Sequence, residues 1–244
     1  MKDNDFIWPE KAAGNVPAGL LCVAEVFPMT SGKEDYLKAL YSLGDDGRMV
    51  SNKELSDLLQ VSPPSVSEMI VKLQKDGYID YVAYKGSRLT EKGREEASRL
   101  IRYYCLWEVF LVRCLGFKWS EAHLEAHNLE HHISAKAADR LEEFLGHPVY
   151  CPHGTPIPKK DGTRAPEARR PLIDMDIGET SRIRYCKEDS ELMDYLQDLG
   201  ITMNMPITCE AKEAYEGPVK ITSEGKTYYI SYKAARQVFV DDKK

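Results

Sequence analysis

Apolar positions recur at helical spacing through the first half of the chain and at strand-like alternation near its end. Over residues 34–43, Tyr36, Leu37, Leu40, Tyr41 and Leu43 share one side of a helix that Gly44 ends. Ser51-Asn52-Lys53-Glu54 has the order of a capping box, in which a serine and a glutamate satisfy each other's backbone N–H groups. It opens a short helix carrying Leu55, Leu58 and Leu59. Val61-Ser62-Pro63-Pro64 breaks that helix and starts a third, because Ser62 suits an N-cap and proline is tolerated in a first turn. The third helix passes Leu73 and stops at Asp76-Gly77; residues 78–84 and 87–90 then read as strands around a turn at Lys85-Gly86. Three helices and a hairpin are the order of a winged helix-turn-helix. Ser62, Pro64, Ser65, Ser67 and Glu68 would face base edges in a major groove, and Lys72, Lys75, Lys85 and Arg88 would reach phosphates.

Residues 90–116 read as one long helix with Leu100, Ile101, Tyr104, Trp107, Phe110 and Leu111, too apolar for an exposed strut. With helices over 120–138 and 138–145 it forms a layer with apolar surface to spare. A homodimer interface is the economical use of that surface, since palindromic operator DNA asks for a two-fold symmetric protein. Residues 159–171 are rich in Pro, Gly and charge and read as linker. Strands over 172–175, 180–185, 207–211, 218–222, 226–231 and 237–240, with a helix over 190–199, suggest a small β-barrel. The fold class is mainly α with α+β parts. Its expected units are a loosely ordered extension (1–30), a winged helix-turn-helix (31–102), a helical dimerisation unit (103–158), the linker (159–171), and a small β-barrel (172–242).

Composition adds limits. At 244 residues, 43% hydrophobic and 30% charged, the chain suits more than one modest soluble domain. No apolar run approaches the roughly 20 residues of a membrane span, and the apolar patch at Leu20–Val23 lacks a basic region before it, so a cytoplasmic location is expected. Six cysteines without CxxC spacing indicate neither a zinc ribbon nor a disulfide framework. The net charge of −6 argues weakly against nucleic acid, but basic and acidic residues are about balanced over 31–103, so the acidity lies further along. Residues 1–28 hold Pro9, Gly14, Pro17, Gly19 and Pro28, and are expected to be a translated upstream stretch or a mobile arm.

The densest chemistry lies at His123-Leu-Glu-Ala-His127-Asn-Leu-Glu130-His131-His132. On one helix, at about 100° per residue, His123, His127, Glu130 and His131 would share a stripe while His132 points away. Imidazoles and a carboxylate converging in this way suit a divalent transition metal. Cys151 and His153, two apart in a proline-stiffened loop, read as a second ligand pair.

The chain resembles the diphtheria-toxin-repressor / manganese-transport-regulator family, SH3-bearing type. The residues that carry the resemblance are Glu34-Asp35-Tyr36-Leu37, Ser62-Pro63-Pro64-Ser65-Val66-Ser67, Leu89-Thr90-Glu91-Lys92-Gly93, Glu130-His131-His132 and Cys151-Pro152-His153-Gly154-Thr155-Pro156-Ile157-Pro158. The resemblance implies a homodimer that binds operator DNA when loaded with a divalent metal and represses metal-uptake genes. It implies a primary site of Asp35, His127, Glu130 and His131, and a second of Glu108, His123, Cys151 and His153 completed by Asp189, with Glu188 the alternative. Lys38 stands where some manganese sensors carry a second carboxylate, and Tyr104 where many relatives carry histidine. The hard oxygen of Asp35 favours Mn²⁺, whereas His127 tilts toward Fe²⁺ or Zn²⁺, so Mn²⁺ is expected first and Fe²⁺ next. A zinc hydrolase is disfavoured because there is no HExxH and the glutamates are not placed to activate water. A winged-helix regulator of an organic ligand is the other alternative.

Overall fold

The computed structural model describes residues 30–44 and 47–242, so the extension expected over 1–30 lies outside them except for Thr30. Helices α1 (Ser31–Leu43), α2 (Asn52–Leu59) and α3 (Pro63–Lys75) bury Leu37, Leu40, Leu55, Val66, Ile70 and Leu73 in one core. Their boundaries are set locally: Ser51 and Glu54 form the reciprocal box, and Ser62 accepts from the Ser65 N–H with Pro63 in the first turn. Strands β1 (Ile79–Val82) and β2 (Gly86–Leu89) pair antiparallel, Ile79 opposite Leu89, and make the wing. Gly86 has φ +110°, and a Cβ there would meet the Val50 carbonyl oxygen at 2.1 Å, so only glycine lets the wing lie against the chain before α2.

Helix α4 (Glu91–Leu115) runs unbroken from its Thr90 cap to Gly116 and carries the helical layer. The histidine-bearing helix expected over 120–138 is not continuous. Helix α5 (Trp119–Leu129) ends early, Glu130–His132 form a 3-10 turn, Ile133 is extended, and α6 (Ala135–Phe144) starts afresh. The cause is Ser134, whose side chain accepts from the Ala137 N–H and so offers the backbone a new helix start.

The C-terminal part is a six-stranded antiparallel sheet in the order β3-β8-β4-β5-β6-β7. Its strands are β3 (Arg170–Pro171), β4 (Thr180–Cys186), β5 (Pro206–Lys212), β6 (Val219–Ser223), β7 (Lys226–Ile230) and β8 (Val238–Val240), with helices α7 (Ser190–Asp198) and α8 (Tyr232–Ala235) between them. The strand expected over 172–175 is instead a 3-10 turn, Leu172–Asp174, which points Leu172 and Met175 together into the core. Pairing begins just before it, at β3, in the last residues expected to be linker.

Trp119 of α5 packs into the core of the C-terminal part, its backbone N–H donates to Gln197 Oε1 at 2.7 Å, and the Ser120 hydroxyl donates to Asp194 at 2.5 Å. These contacts hold α7 against α5. They bring the end of β4 within reach of the helical layer.

Candidate metal centre

Asp35 on α1 meets His127 at the end of α5 and Glu130 and His131 in the 3-10 turn, one ligand atom of each lying within 4.8 Å of the others. Asp35 Oδ1 stands 3.5 Å from His131 Nε2 and 3.8 Å from His127 Nε2, and His127 Nδ1 is 3.1 Å from Glu130 Oε1. The break after α5 matters here, because the 3-10 turn aims Glu130 and His131 at α1. Asp35 Oδ1 is buried and has no hydrogen-bond partner, an expensive state for a carboxylate oxygen. A cation would satisfy it, and two carboxylates with two imidazoles are a donor set that fits a divalent first-row ion. The His127 pKa is raised, chiefly by its hydrogen bond to Glu130.

Two neighbours outside the expected ligand set hold this cluster in place. Glu34 pairs with His131 Nδ1 and so fixes the ring with Nε2 toward Asp35. Its only sequence signal is adjacency to Asp35. Lys38 gives Glu130 an ammonium partner, with Nζ 2.6 and 2.8 Å from the two carboxylate oxygens. The same ammonium lies 4.4 Å from the centre of the Tyr104 ring.

Tyr104 leads to a second cluster. Its hydroxyl donates to Glu108 Oε1 at 2.6 Å and also contacts His123 Nδ1, so the phenol stands between His123 and Glu108. His153 Nδ1 lies 3.2 Å from Cys151 Sγ and 3.5 Å from Glu108 Oε2, and its Nε2 lies 3.2 Å from Glu188 Oε1. Asp189 is not part of this cluster: its carboxylate caps α7 by accepting from the Leu192 N–H at 2.9 Å, and Glu188 takes the place expected for it. Gly154 makes the junction possible. It has φ +98°, and a Cβ would strike the Arg184 carbonyl oxygen at 1.9 Å, so glycine lets the loop close on β4 while the Cys186 N–H donates to the His153 carbonyl at 3.0 Å.

The electrostatics are those of a buried ion cluster. Burial opposes ionisation of Cys151, yet the Cys105 thiol and His153 hold its pKa well below the usual thiol range. Burial likewise opposes a charged His153, but the Cys151 thiolate and Glu108 raise its pKa well above normal. Burial pushes Glu108 up to about 7. At Glu188 burial is outweighed by the hydrogen bond and charge of His153, which bring it down to about 2. Glu108 Oε2 is a second buried carboxylate oxygen without a hydrogen-bond partner. Sulfur, imidazole and carboxylate donors around it also fit a divalent metal.

On the winged unit, Ser62, Pro64, Ser65, Ser67 and Glu68 are exposed at the start of α3, as expected of a base-facing surface. Their polar groups are engaged locally: Ser62 and Ser65 hydroxyls lie 2.9 Å apart, and Ser67 donates to the Pro63 carbonyl at 3.1 Å. Lys72 pairs with Glu68 and Arg88 with Asp80, while Lys75 and Lys85 are exposed. Val71, 66% exposed on α3, is an apolar member of this face that the charge pattern did not mark. Trp107 and Phe110 of α4, Leu141 and Phe144 of α6, and Ile133 just before α6 line an open groove of about 640 Å³, and Phe144 is 64% exposed. No helix of the described residues is long and apolar enough to cross a membrane.

Comparison with known proteins matches three family profiles in sequence. Residues 28–87 match the iron dependent repressor, N-terminal DNA binding domain; 90–159 its metal binding and dimerisation domain; and 170–242 the FeoA domain. The iron-dependent repressor IdeR of Mycobacterium leprae (strain TN) is 28% identical over 194 residues, 74% of this chain and 84% of that protein. A manganese-dependent transcriptional repressor in complex with manganese superposes with a TM-score of 0.77 at 32% identity, over 85% of this chain and 98% of that one. ScaR with bound Zn²⁺ superposes at 0.71, also 32% identical, over 86% and 99%. With DNA-binding, metal-binding and FeoA units matched in order along the fold, the chain belongs to the iron-dependent repressor family of metal-dependent transcriptional regulators.

Proposed function

We propose that this chain is a cytoplasmic repressor that binds palindromic operator DNA as a homodimer when Asp35, His127, Glu130 and His131 hold Mn²⁺, with Fe²⁺ the next candidate and Zn²⁺ a third. The observation that carries the reading is that this donor set is shared between α1 of the winged unit and the turn after α5. A divalent cation bound there would supply one positive charge centre on which both units converge. Asp35 then draws α1 toward Glu130 and His131, which sets the tilt of the winged unit and hence the spacing of the two α3 helices in a dimer. A shift from mostly incompetent to mostly competent protein needs about 5.5 kcal/mol of differential affinity. Several ligand bonds made fully in one state are of that order. Ser62, Pro64, Ser65, Ser67 and Glu68 are the proposed base-facing residues, and Lys72, Lys75, Lys85 and Arg88 the phosphate contacts. The groove at Trp107, Phe110 and Phe144 supports dimerisation, since a monomer seldom leaves so contiguous an apolar face in water.

Glu108, Cys151, His153 and Glu188 are the proposed second site, with His123 held beside it through Tyr104. This cluster ties α4 to the loop before the linker and to the end of β4. Its role in the proposal is to steady the helical layer against the FeoA unit.

The test is operator affinity of chelator-treated protein against protein in buffered Mn²⁺, Fe²⁺ or Zn²⁺. Ionic strength must be held fixed, because phosphate contacts alone make affinity steeply salt-dependent. Metal should tighten binding by about 100-fold; equal affinity with and without chelator would refute the reading. Asp35→Met tests the choice of ion. A thioether in place of a hard oxygen should reduce activation by Mn²⁺ about tenfold more than activation by Fe²⁺ or Zn²⁺. An equal loss for all three ions would make Asp35 a ligand without a part in selection.

A further inference from the structure

Cys105 follows Tyr104 on α4 and is fully buried. Its Sγ, the Cys151 Sγ and a Glu108 carboxylate oxygen lie within 4.8 Å of one another. Two sulfurs on one zinc ion, each at about 2.3 Å, are at most about 4.6 Å apart, so the cluster is close to the spacing of donors around a single cation. An independent observation points the same way: the Glu108 side chain is 2% exposed, and its Oε2 has no hydrogen-bond partner. That unfilled acceptor lies 3.5 Å from His153 Nδ1, and one oxygen of the same carboxylate sits beside the two sulfurs. Packing alone would ask only for a small apolar residue at position 105. It would not ask for a sulfur turned toward Cys151.

Resting on the second-site reading above, we propose that Cys105 is a ligand of that site together with Cys151, Glu108 and His153, and that the two-sulfur site selects a thiophilic divalent cation, Zn²⁺ or Fe²⁺, over Mn²⁺. The primary donors are oxygen and nitrogen only, whereas these add two soft sulfurs. The two sites of one chain then sort ions by hardness. Zinc or iron fixes the buried junction of α4, loop and β4, and the site shared with α1 is left to the harder ion. Cys105 reaches Cys151 from the long helix, so its thiolate would also tie the loop to α4 directly.

The test uses the full-length protein, metal-free, reduced and anaerobic, titrated with Co²⁺ as an optical probe of thiolate ligation. Wild type should show a sulfur-to-cobalt charge-transfer band that Cys105→Ser and Cys151→Ser each lower by about half, in proportion to the thiolates left. Cys105→Ser should also weaken Zn²⁺ binding at this site about tenfold or more, while Mn²⁺ affinity changes less than about threefold. A full-strength band in Cys105→Ser, with loss in Cys151→Ser, would overturn the role of Cys105 and leave the second site standing. No band in wild type, or a band indifferent to Cys151→Ser, would overturn the second site itself. Zinc X-ray absorption on the wild-type protein at two equivalents needs no variant. About one sulfur per zinc on average supports the proposal, and about half a sulfur refutes it.

Discussion

Glu130→Ala is expected to abolish the metal-induced gain in operator affinity, a loss of about 100-fold at saturating Mn²⁺, while leaving a folded dimer. The Glu130 side chain is fully buried and accepts from Lys38, with His127 Nδ1 at 3.1 Å and His131 Nε2 at 3.5 Å. It touches Lys38 of α1, His127 at the end of α5 and His131 beside it in the turn. Its loss removes one of two carboxylates from the primary donors and leaves nothing to replace it. His131→Ala should behave alike, because Glu34 holds that ring with Nε2 toward Asp35. Cys151→Ala should cost far less, about tenfold at most, since the proposed ligands of its cluster come from α4, the loop before the linker and the segment just after β4, and none from α1. Anisotropy of labelled operator with buffered metal measures each loss, and light scattering checks the dimer. Should Cys151→Ala prove as damaging as Glu130→Ala, the unequal roles of the sites are wrong.

Lys38→Met is expected to act in opposite directions on the free and loaded protein. The Lys38 side chain is 19% exposed and its Glu130 partner is fully buried, so the pair lies between a surface bridge and a buried one. Removing the ammonium should lower metal-free stability by roughly 2 kcal/mol, because Glu130 then keeps a buried charge without its main partner. The same ammonium holds both oxygens that a metal would need. Metal affinity at the primary site should therefore rise on the order of tenfold, and saturating Mn²⁺ should restore most of the lost stability. Urea unfolding with and without metal, and calorimetric titration, read the two effects. A weaker metal affinity in Lys38→Met would show that the ammonium supports the site and does not compete for it.

The parts of this protein legible in its sequence are those set by local chemistry. Ser51 with Glu54 and Ser62 with Pro63 fix helix starts, Thr90 caps the start of α4 through the Gly93 N–H, and Gly116 ends it by donating to the Leu111 carbonyl, each through groups a few residues apart. Ser134 carries the same kind of signal, yet the run of histidines around Glu130 favoured one continuous helix over a break. Asp189, expected from the resemblance as a ligand, caps α7 in the fold. An aspartate three residues before Leu192 is spoken for by the backbone, which leaves Glu188 free for His153. Cys105 and Glu34 carry no comparable mark. One looks like an ordinary core cysteine and the other like a solvent-facing acid in a first turn.

From sequence alone came the order of helices, wing and most strands, the residue types proposed as donors at Asp35, His127, Glu130 and His131, and the nearness of Cys151 to His153. Periodicity and capping act within a turn or two of the chain, and donor chemistry is a property of the residue itself. Only the tertiary structure decided that Lys38 occupies Glu130, that Glu34 orients His131, and that Cys105 faces Cys151. These pairings join residues 46 to 97 positions apart: α1 to the turn after α5, and α4 to the loop before the linker. Such contacts depend on how α1, α4 and the C-terminal sheet pack, and no local pattern carries that information.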